Sequence, residues 1–147
     1  TNLFRPPSPT EVRDRFLEEG LIHRTRTGEC VRSKSEVIIA DLLYSKGIEY
    51  AYESPLLGKD GLPRYPDFTI IDDASGQTVY WEHLGMMRVP SYRERWLRKR
   101  EWYREQGILP YTEGGGPNGV LVTSEDDAQG GIDSGHIERL IDEVLGV

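Results

Sequence analysis

The sequence is poor in the features that mark secreted and membrane proteins. Its single cysteine, Cys30, has no partner for an internal disulfide. A disulfide-stapled scaffold is therefore excluded, and a reducing, cytoplasmic setting is expected. No apolar run approaches the roughly 20 residues that a bilayer-spanning helix needs, and the opening residues lack the pattern of a secretion signal. Positive charge is also short: 18 Lys and Arg stand against 25 Asp and Glu, a net charge of -7. That excludes a molecule basic all over, as many nucleic-acid binders are, but leaves room for a local basic surface. No internal repeat or long low-complexity tract stands out, so repeat architectures are not expected.

What remains is 147 residues, 37% hydrophobic and 29% charged, enough for one globular domain with a full core. The chain starts at Thr1 rather than at methionine, so a processed chain or a segment of a larger protein is expected. Charge is unevenly placed. Arg88, Arg93, Arg95, Arg98, Lys99, Arg100 and Arg104 face only Glu94 and Glu101 within their stretch, whereas Glu125, Asp126, Asp127, Asp142 and Glu143 crowd the last third.

Local signals divide the chain into elements. Ser8-Pro9-Thr10-Glu11 is a capping box with proline at the first helical position, which predicts a helix to about Glu19 ended by Gly20. Ser33-Lys34-Ser35-Glu36 repeats the pattern and predicts a helix through Tyr44 that stops at Gly47. Strands are expected at Ile48 to Glu53, Tyr65 to Ile71 and Thr78 to Leu84. Turn-rich segments, Gly58-Lys59-Asp60-Gly61 and Asp72 to Gln77, separate them. A third capping box, Ser91 to Glu94, is read as the start of a long helix closed by Gly107. After a flexible glycine-rich loop from Thr112 to Asn118, Gly119 to Thr123 reads as a fourth strand, and Asp133 caps a last helix to about Leu145. The order helix, helix, three strands, helix, strand, helix implies an α/β fold with a mixed central sheet flanked by helices. Residues 1–30 are expected to be an N-terminal extension with a short helix and residues 31–147 the main domain, together one compact unit.

Two carboxylates stand out against this background. Period-two alternation puts Tyr65, Asp67 and Thr69 on one strand face, and Phe68 and Ile70 on the other. Glu82 lies in the next strand and shares its face with Tyr80 and Leu84. An antiparallel hairpin would bring Asp67 and Glu82 together, where they repel unless a cation lies between them. Oxygen ligands of this kind suit Mg²⁺ or Mn²⁺. The competing reading is a pair of solvated strand carboxylates.

The ordered set Arg32-Ser33-Lys34-Ser35-Glu36, Pro66-Asp67-Phe68-Thr69, Trp81-Glu82-His83-Leu84-Gly85 and a downstream Lys99 spans Val31 to Thr123. It resembles the PD-(D/E)xK (restriction-endonuclease-like) nuclease superfamily, in particular a bacterial and phage branch that is sometimes attached to helicases. The resemblance implies an αβββαβ core, with residues 31–147 as the nuclease-like domain. It implies Asp67 and Glu82 as metal ligands, the His83 backbone carbonyl as a further one, and Glu36 completing the acidic cluster directly or through water. Mg²⁺ or Mn²⁺ would then be the cofactor, and metal-activated water would attack a phosphodiester. Glu36 has a competing role as the capping glutamate of its helix. Alternation turns the His83 side chain away from Glu82, so a structural histidine near Trp81 is the favoured reading there.

The family lysine belongs two residues after Glu82, where this chain has Leu84. Lys99 is the candidate substitute, consistent with a catalytic lysine displaced to the following helix. Tyr92, Trp96, Lys99 and Tyr103 fall at i, i+4, i+7 and i+11, one stripe of a helix. A lysine in an aromatic stripe faces the sheet, and the carboxylate cluster would be the partner that its charge requires. The competing reading is a lysine that reaches solvent from the stripe's edge. Arg32, Lys34, Arg95 and Arg98 are candidate phosphate contacts, with a solvated helix face as the alternative for the last two. The expected function is a Mg²⁺-dependent deoxyribonuclease, an endonuclease in the first instance. DNA is the expected substrate and RNA the alternative; no membrane partner is expected, and a helicase or other attached domain is a candidate neighbour. The alternative is a catalytically inactive module of nuclease fold that binds nucleic acid or a protein.

Overall fold

The computed structural model describes residues 20–146, and the helix expected from Pro9 to about Glu19 lies outside them. Strands β1 (His23–Arg24) and β2 (Cys30–Val31) form a small antiparallel hairpin. The boundary expected after residue 30 therefore falls inside β2. The hairpin is tied to helix α1 (Lys34–Ser45), where Arg26 N–H donates to Asp41 Oδ1 at 2.8 Å. Ser33 Oγ accepts the Glu36 N–H at 3.1 Å, so α1 starts at its cap. Gly47 follows it with φ 71°, a left-handed turn that glycine adopts without steric cost.

Next come β3 (Ala51–Tyr52), the hairpin of β4 (Leu56–Leu57) and β5 (Pro63–Arg64), then β6 (Phe68–Ile71) and β7 (Thr78–Leu84). The strand expected from Ile48 to Glu53 shrinks to two residues, and the chain turns sharply at Glu53 (φ 48°), which ends it. Helix α2 (Pro90–Glu105) leads to β8 (Ile108–Pro110), a 3-10 turn (Tyr111–Glu113), β9 (Gly119–Glu125) and α3 (Ser134–Leu145). Among the described residues no helix is long and apolar enough to cross a membrane.

Two further expectations need correction. α2 starts at Pro90 with Val89 as its N-cap and no side-chain cap bond, so Ser91 to Glu94 is not a capping box here. Proline at the first helical position has no N–H to cap and a φ preset for the helix. The segment from Thr112 to Asn118 is not a loose loop but a bonded turn. Gly114 N–H donates to Tyr111 O at 2.9 Å and Gly115 N–H to Pro110 O at 3.0 Å.

The main sheet is mixed, with order β3-β6-β7-β9-β8. β3, β6 and β7 are antiparallel neighbours, whereas β9 runs parallel to both β7 and β8. A parallel return needs a crossover, which α2 supplies. Pro110 is tolerated because β8 is an edge strand.

Alternation along the central strands gives each face its own core. Phe68, Ile70, Val79, Trp81, Val120 and Val122 pack against Ile39, Ala40 and Leu43 of α1 and Ile137 and Ile141 of α3. Leu84, Leu121 and Ile108, with Tyr80, pack against Trp96, Trp102 and Tyr103 of α2. The result is an α/β fold in three layers. The β4–β5 hairpin is pinned to α2, with the Arg64 guanidinium 4.8 Å from the Trp102 ring centre and Lys59 N–H donating to Gln106 Oε1 at 2.9 Å.

Candidate active site

The β6–β7 register pairs Phe68 with Trp81, and its continuation by one residue sets Asp67 across from Glu82. β6 begins only at Phe68, and in place of a further ladder bond the His83 N–H donates to Asp67 Oδ2 at 2.7 Å. Glu82 is buried on the sheet face that α2 covers. From α2 the Lys99 ammonium reaches to 2.6 Å from Glu82 Oε2 and donates to the Tyr65 carbonyl at 3.4 Å. The Tyr103 hydroxyl donates to the same Glu82 oxygen at 3.0 Å. Asp67, Glu82 and Lys99, with Tyr92, Arg95 and Trp96, line a cavity of about 260 Å³. Leu84 is buried in the core beneath α2, beside Trp96. Position 84, two residues after Glu82, is thus a packing position in this chain, and the ammonium beside Glu82 comes from the helix above it.

The electrostatics call for positive charge. Burial first, then the neighbouring Glu82 and Glu36 carboxylates, hold Asp67 well above the usual carboxylate range; the His83 N–H and Lys99 pull the other way but do not prevail. Glu36 is raised as well, chiefly by burial and then by Glu53, with hydrogen bonds from Tyr52, Ser33 and Arg32 opposing. Tyr103 is raised by burial and by Glu82, so it remains a hydroxyl donor.

Glu36 departs from a simple capping role. Its Oε1 accepts the Arg32 N–H at 3.1 Å, the Tyr52 hydroxyl at 3.1 Å and the Ser33 hydroxyl at 3.3 Å. The carboxylate therefore reaches past the cap toward β3. It lies near enough to Asp67 to raise that carboxyl, although it does not line the cavity. Arg32 is engaged in an ion pair with Glu53, Nε to Oε1 at 2.5 Å. Glu53 is the one non-glycine residue with positive φ among those described, and its N–H donates to the Asp67 carbonyl at 3.1 Å. Backbone strain of this kind costs on the order of 1 kcal/mol, and here it ties the end of β3 to the Asp67 main chain.

The four phosphate-contact candidates are dispersed. Arg95 lines the cavity and lies over the Tyr92 ring at 5.8 Å. Arg98 is exposed on α2 outside the cavity lining, Lys34 is exposed at the start of α1, and Arg32 is paired with Glu53. Sequence reasoning missed Tyr52, Glu53 and the hydroxyl role of Tyr103. Only Tyr103 had a sequence signal, its place in the Lys99 stripe.

The donor set suits a hard divalent cation. With Glu36, Asp67 and Glu82 all ionised, one ammonium leaves two negative charges in the cluster. Among the described residues no three His, Cys, Asp or Glu side chains already converge on one point. Mg²⁺ does not require that, because it is held through one or two carboxylates together with waters and substrate phosphates.

No family model and no solved structure matches this chain. Over 87 residues, 57% of its length, it is 39% identical to an uncharacterized protein of Methanocaldococcus jannaschii. It spans only 7% of that relative's length.

Proposed function

We propose that the protein is a metal-dependent nuclease of the PD-(D/E)xK type, with DNA as substrate and with α1, the β3-β6-β7 meander, α2 and β9 as its αβββαβ core. The observation that carries the reading is the Lys99 ammonium 2.6 Å from Glu82 Oε2, in the cavity that Asp67 also lines. A lysine two residues after Glu82 is thereby replaced in space, though not in sequence. Asp67 and Glu82 would hold Mg²⁺ or Mn²⁺, with the His83 carbonyl as a further ligand and Glu36 acting through water. When bound, the cation activates water and neutralises charge on the phosphate.

The chain's own residues do the rest. Lys99 directs its charge at the scissile phosphate as negative charge develops there. The Tyr103 hydroxyl and the His83 N–H keep the two carboxylates aimed into the cavity. Arg95, at the cavity wall, meets a neighbouring phosphate. The test is cleavage of single- and double-stranded DNA, and of RNA, with Mg²⁺ or Mn²⁺, comparing the wild type with Asp67→Ala and Lys99→Ala. The wild type should cleave and both variants should lose most of the activity; equal activity in all three refutes the site. Calorimetric Mn²⁺ titration that shows no binding dependent on Asp67 and Glu82 would favour the inactive nuclease-fold module instead.

A further inference from the structure

The imidazole of His83 lies on the opposite sheet face from the cavity, and all its polar atoms are engaged there. Nδ1 is 2.8 Å from Ser124 Oγ and Nε2 is 2.6 Å from Asp126 Oδ1. Ser124 Oγ also accepts the Trp81 indole N–H at 2.9 Å, and Ser35 Oγ donates to Asp126 Oδ1 at 2.7 Å. An ionised carboxylate only accepts, so Nε2 carries a proton. In the neutral imidazole Nδ1 then accepts from the Ser124 hydroxyl, whose oxygen keeps a lone pair for Trp81. The chain Trp81–Ser124–His83–Asp126–Ser35 is satisfied throughout.

A buried histidine needs no more than this to be stable, but its main chain adds a second connection. Beyond the last rung with β6, Phe68 with Trp81, the His83 N–H holds Asp67 Oδ2. One residue therefore joins the two faces of the sheet, its ring bonded to Ser124 of β9 and to Asp126 just past it, and its main-chain N–H holding a candidate metal ligand. The lock also reaches α1 through Ser35, the neighbour of Glu36. Rotation of the residue 83 peptide would swing Asp67 Oδ2 and lose the ring's bonds together.

We infer that His83 is a positioning residue. The hydrogen-bond chain on the far face fixes the main chain of residue 83, whose N–H aims Asp67 and whose carbonyl, in the next peptide group, is the expected further ligand. The inference rests on the nuclease reading for what Asp67 does, but not for how Asp67 is held.

The experiment compares wild type, Asp126→Ala, Ser124→Ala and His83→Gln by NMR amide exchange, calorimetric Mn²⁺ titration and urea unfolding. Asp126→Ala changes a partly exposed carboxylate outside the cavity, which keeps the test usable even if changes at residue 83 itself do not fold. Loss of this outer support should speed exchange of the His83 amide about tenfold or more relative to the Val79 and Val120 amides. It should also weaken Mn²⁺ binding by about 10- to 100-fold. His83→Gln, which keeps an N–H donor for Asp126, should show much smaller losses of both. A His83 amide that exchanges at the wild-type rate in Asp126→Ala and Ser124→Ala, whatever happens to stability, overturns the inference. A wild-type protein that binds no Mn²⁺ overturns the nuclease reading instead, and the exchange rates still decide how Asp67 is held.

Discussion

Replacing Lys99 by methionine removes the ammonium and keeps most of the apolar stem, so it separates the charge from the packing. The Glu82 side chain is 5% exposed and that of Lys99 30%. Fully exposed pairs contribute about 0.2–1 kcal/mol, whereas removing one partner of a fully buried pair costs about 3–5 kcal/mol. This pair lies between those limits, and the Tyr103 hydroxyl at 3.0 Å remains to satisfy Glu82. The expected loss is about 1–2 kcal/mol of folding stability. Small domains have about 5–15 kcal/mol in hand, so the variant stays folded under assay conditions. Activity should fall much further. Losing a preplaced group that meets developing charge costs about 10²–10³ in kcat. Because that charge develops in the transition state, KM should change little. Urea unfolding and DNA cleavage with Mg²⁺, measured on the same preparations, read the two effects separately. Lys99→Arg keeps the charge without the compact ammonium and should restore stability more fully than rate. A Lys99→Met protein within about threefold of wild-type kcat would refute the reasoning and leave Lys99–Glu82 as a structural pair.

Two other outcomes follow from the geometry. Asp67 is raised by burial and by Glu82 and Glu36, so without metal the native state keeps its proton to higher pH than the unfolded chain. Stability should then fall as pH rises from about 4, the unfolded value, through the raised native value. Asp67→Asn removes this loss and retains an acceptor for the His83 N–H. It should therefore be more stable than wild type in EDTA at pH 8, equal to it near pH 4, and unable to bind Mn²⁺. Chemical denaturation across that range checks the sign, and an asparagine variant less stable at pH 8 would contradict it. At the β4–β5 hairpin, a Cβ on Gly58 would lie 2.9 Å from Trp102 Cζ2 and 3.0 Å from Trp102 Nε1. Gly58→Ala should cost about 1–3 kcal/mol by overpacking, read as a lowered melting temperature, and an unchanged value would mean that the hairpin moves freely on α2.

What could be read without coordinates was whatever is decided within a few residues. The Ser33 cap and Gly47 delimit α1, Asp133 caps α3, and alternation sets the bounds of β7 and separates its two faces. The same two periodicities put Asp67 and Glu82 on one face and turned Lys99 toward it, because side-chain direction is fixed by the local helix and strand geometry. Where local signals were short or competing, the reading failed. β8 is three residues directly after a helix and ends in proline, too brief for alternation to show, and Pro90 rather than Ser91 starts α2.

The partners of each group were a different matter. The distance of the Lys99 ammonium from Glu82, the pairing of Arg32 with Glu53, and the reach of the Glu36 carboxylate past its own cap depend on segments 16 to 21 residues apart in the sequence. The bonds of His83 to Ser124 and Asp126 join positions 41 and 43 residues apart. The sequence by itself determined which side chains share a face, since that follows from the backbone repeat. Only the tertiary structure decided which of them touch, since that follows from how β9 and α2 return to β7 and how β3 comes back beside the start of α1.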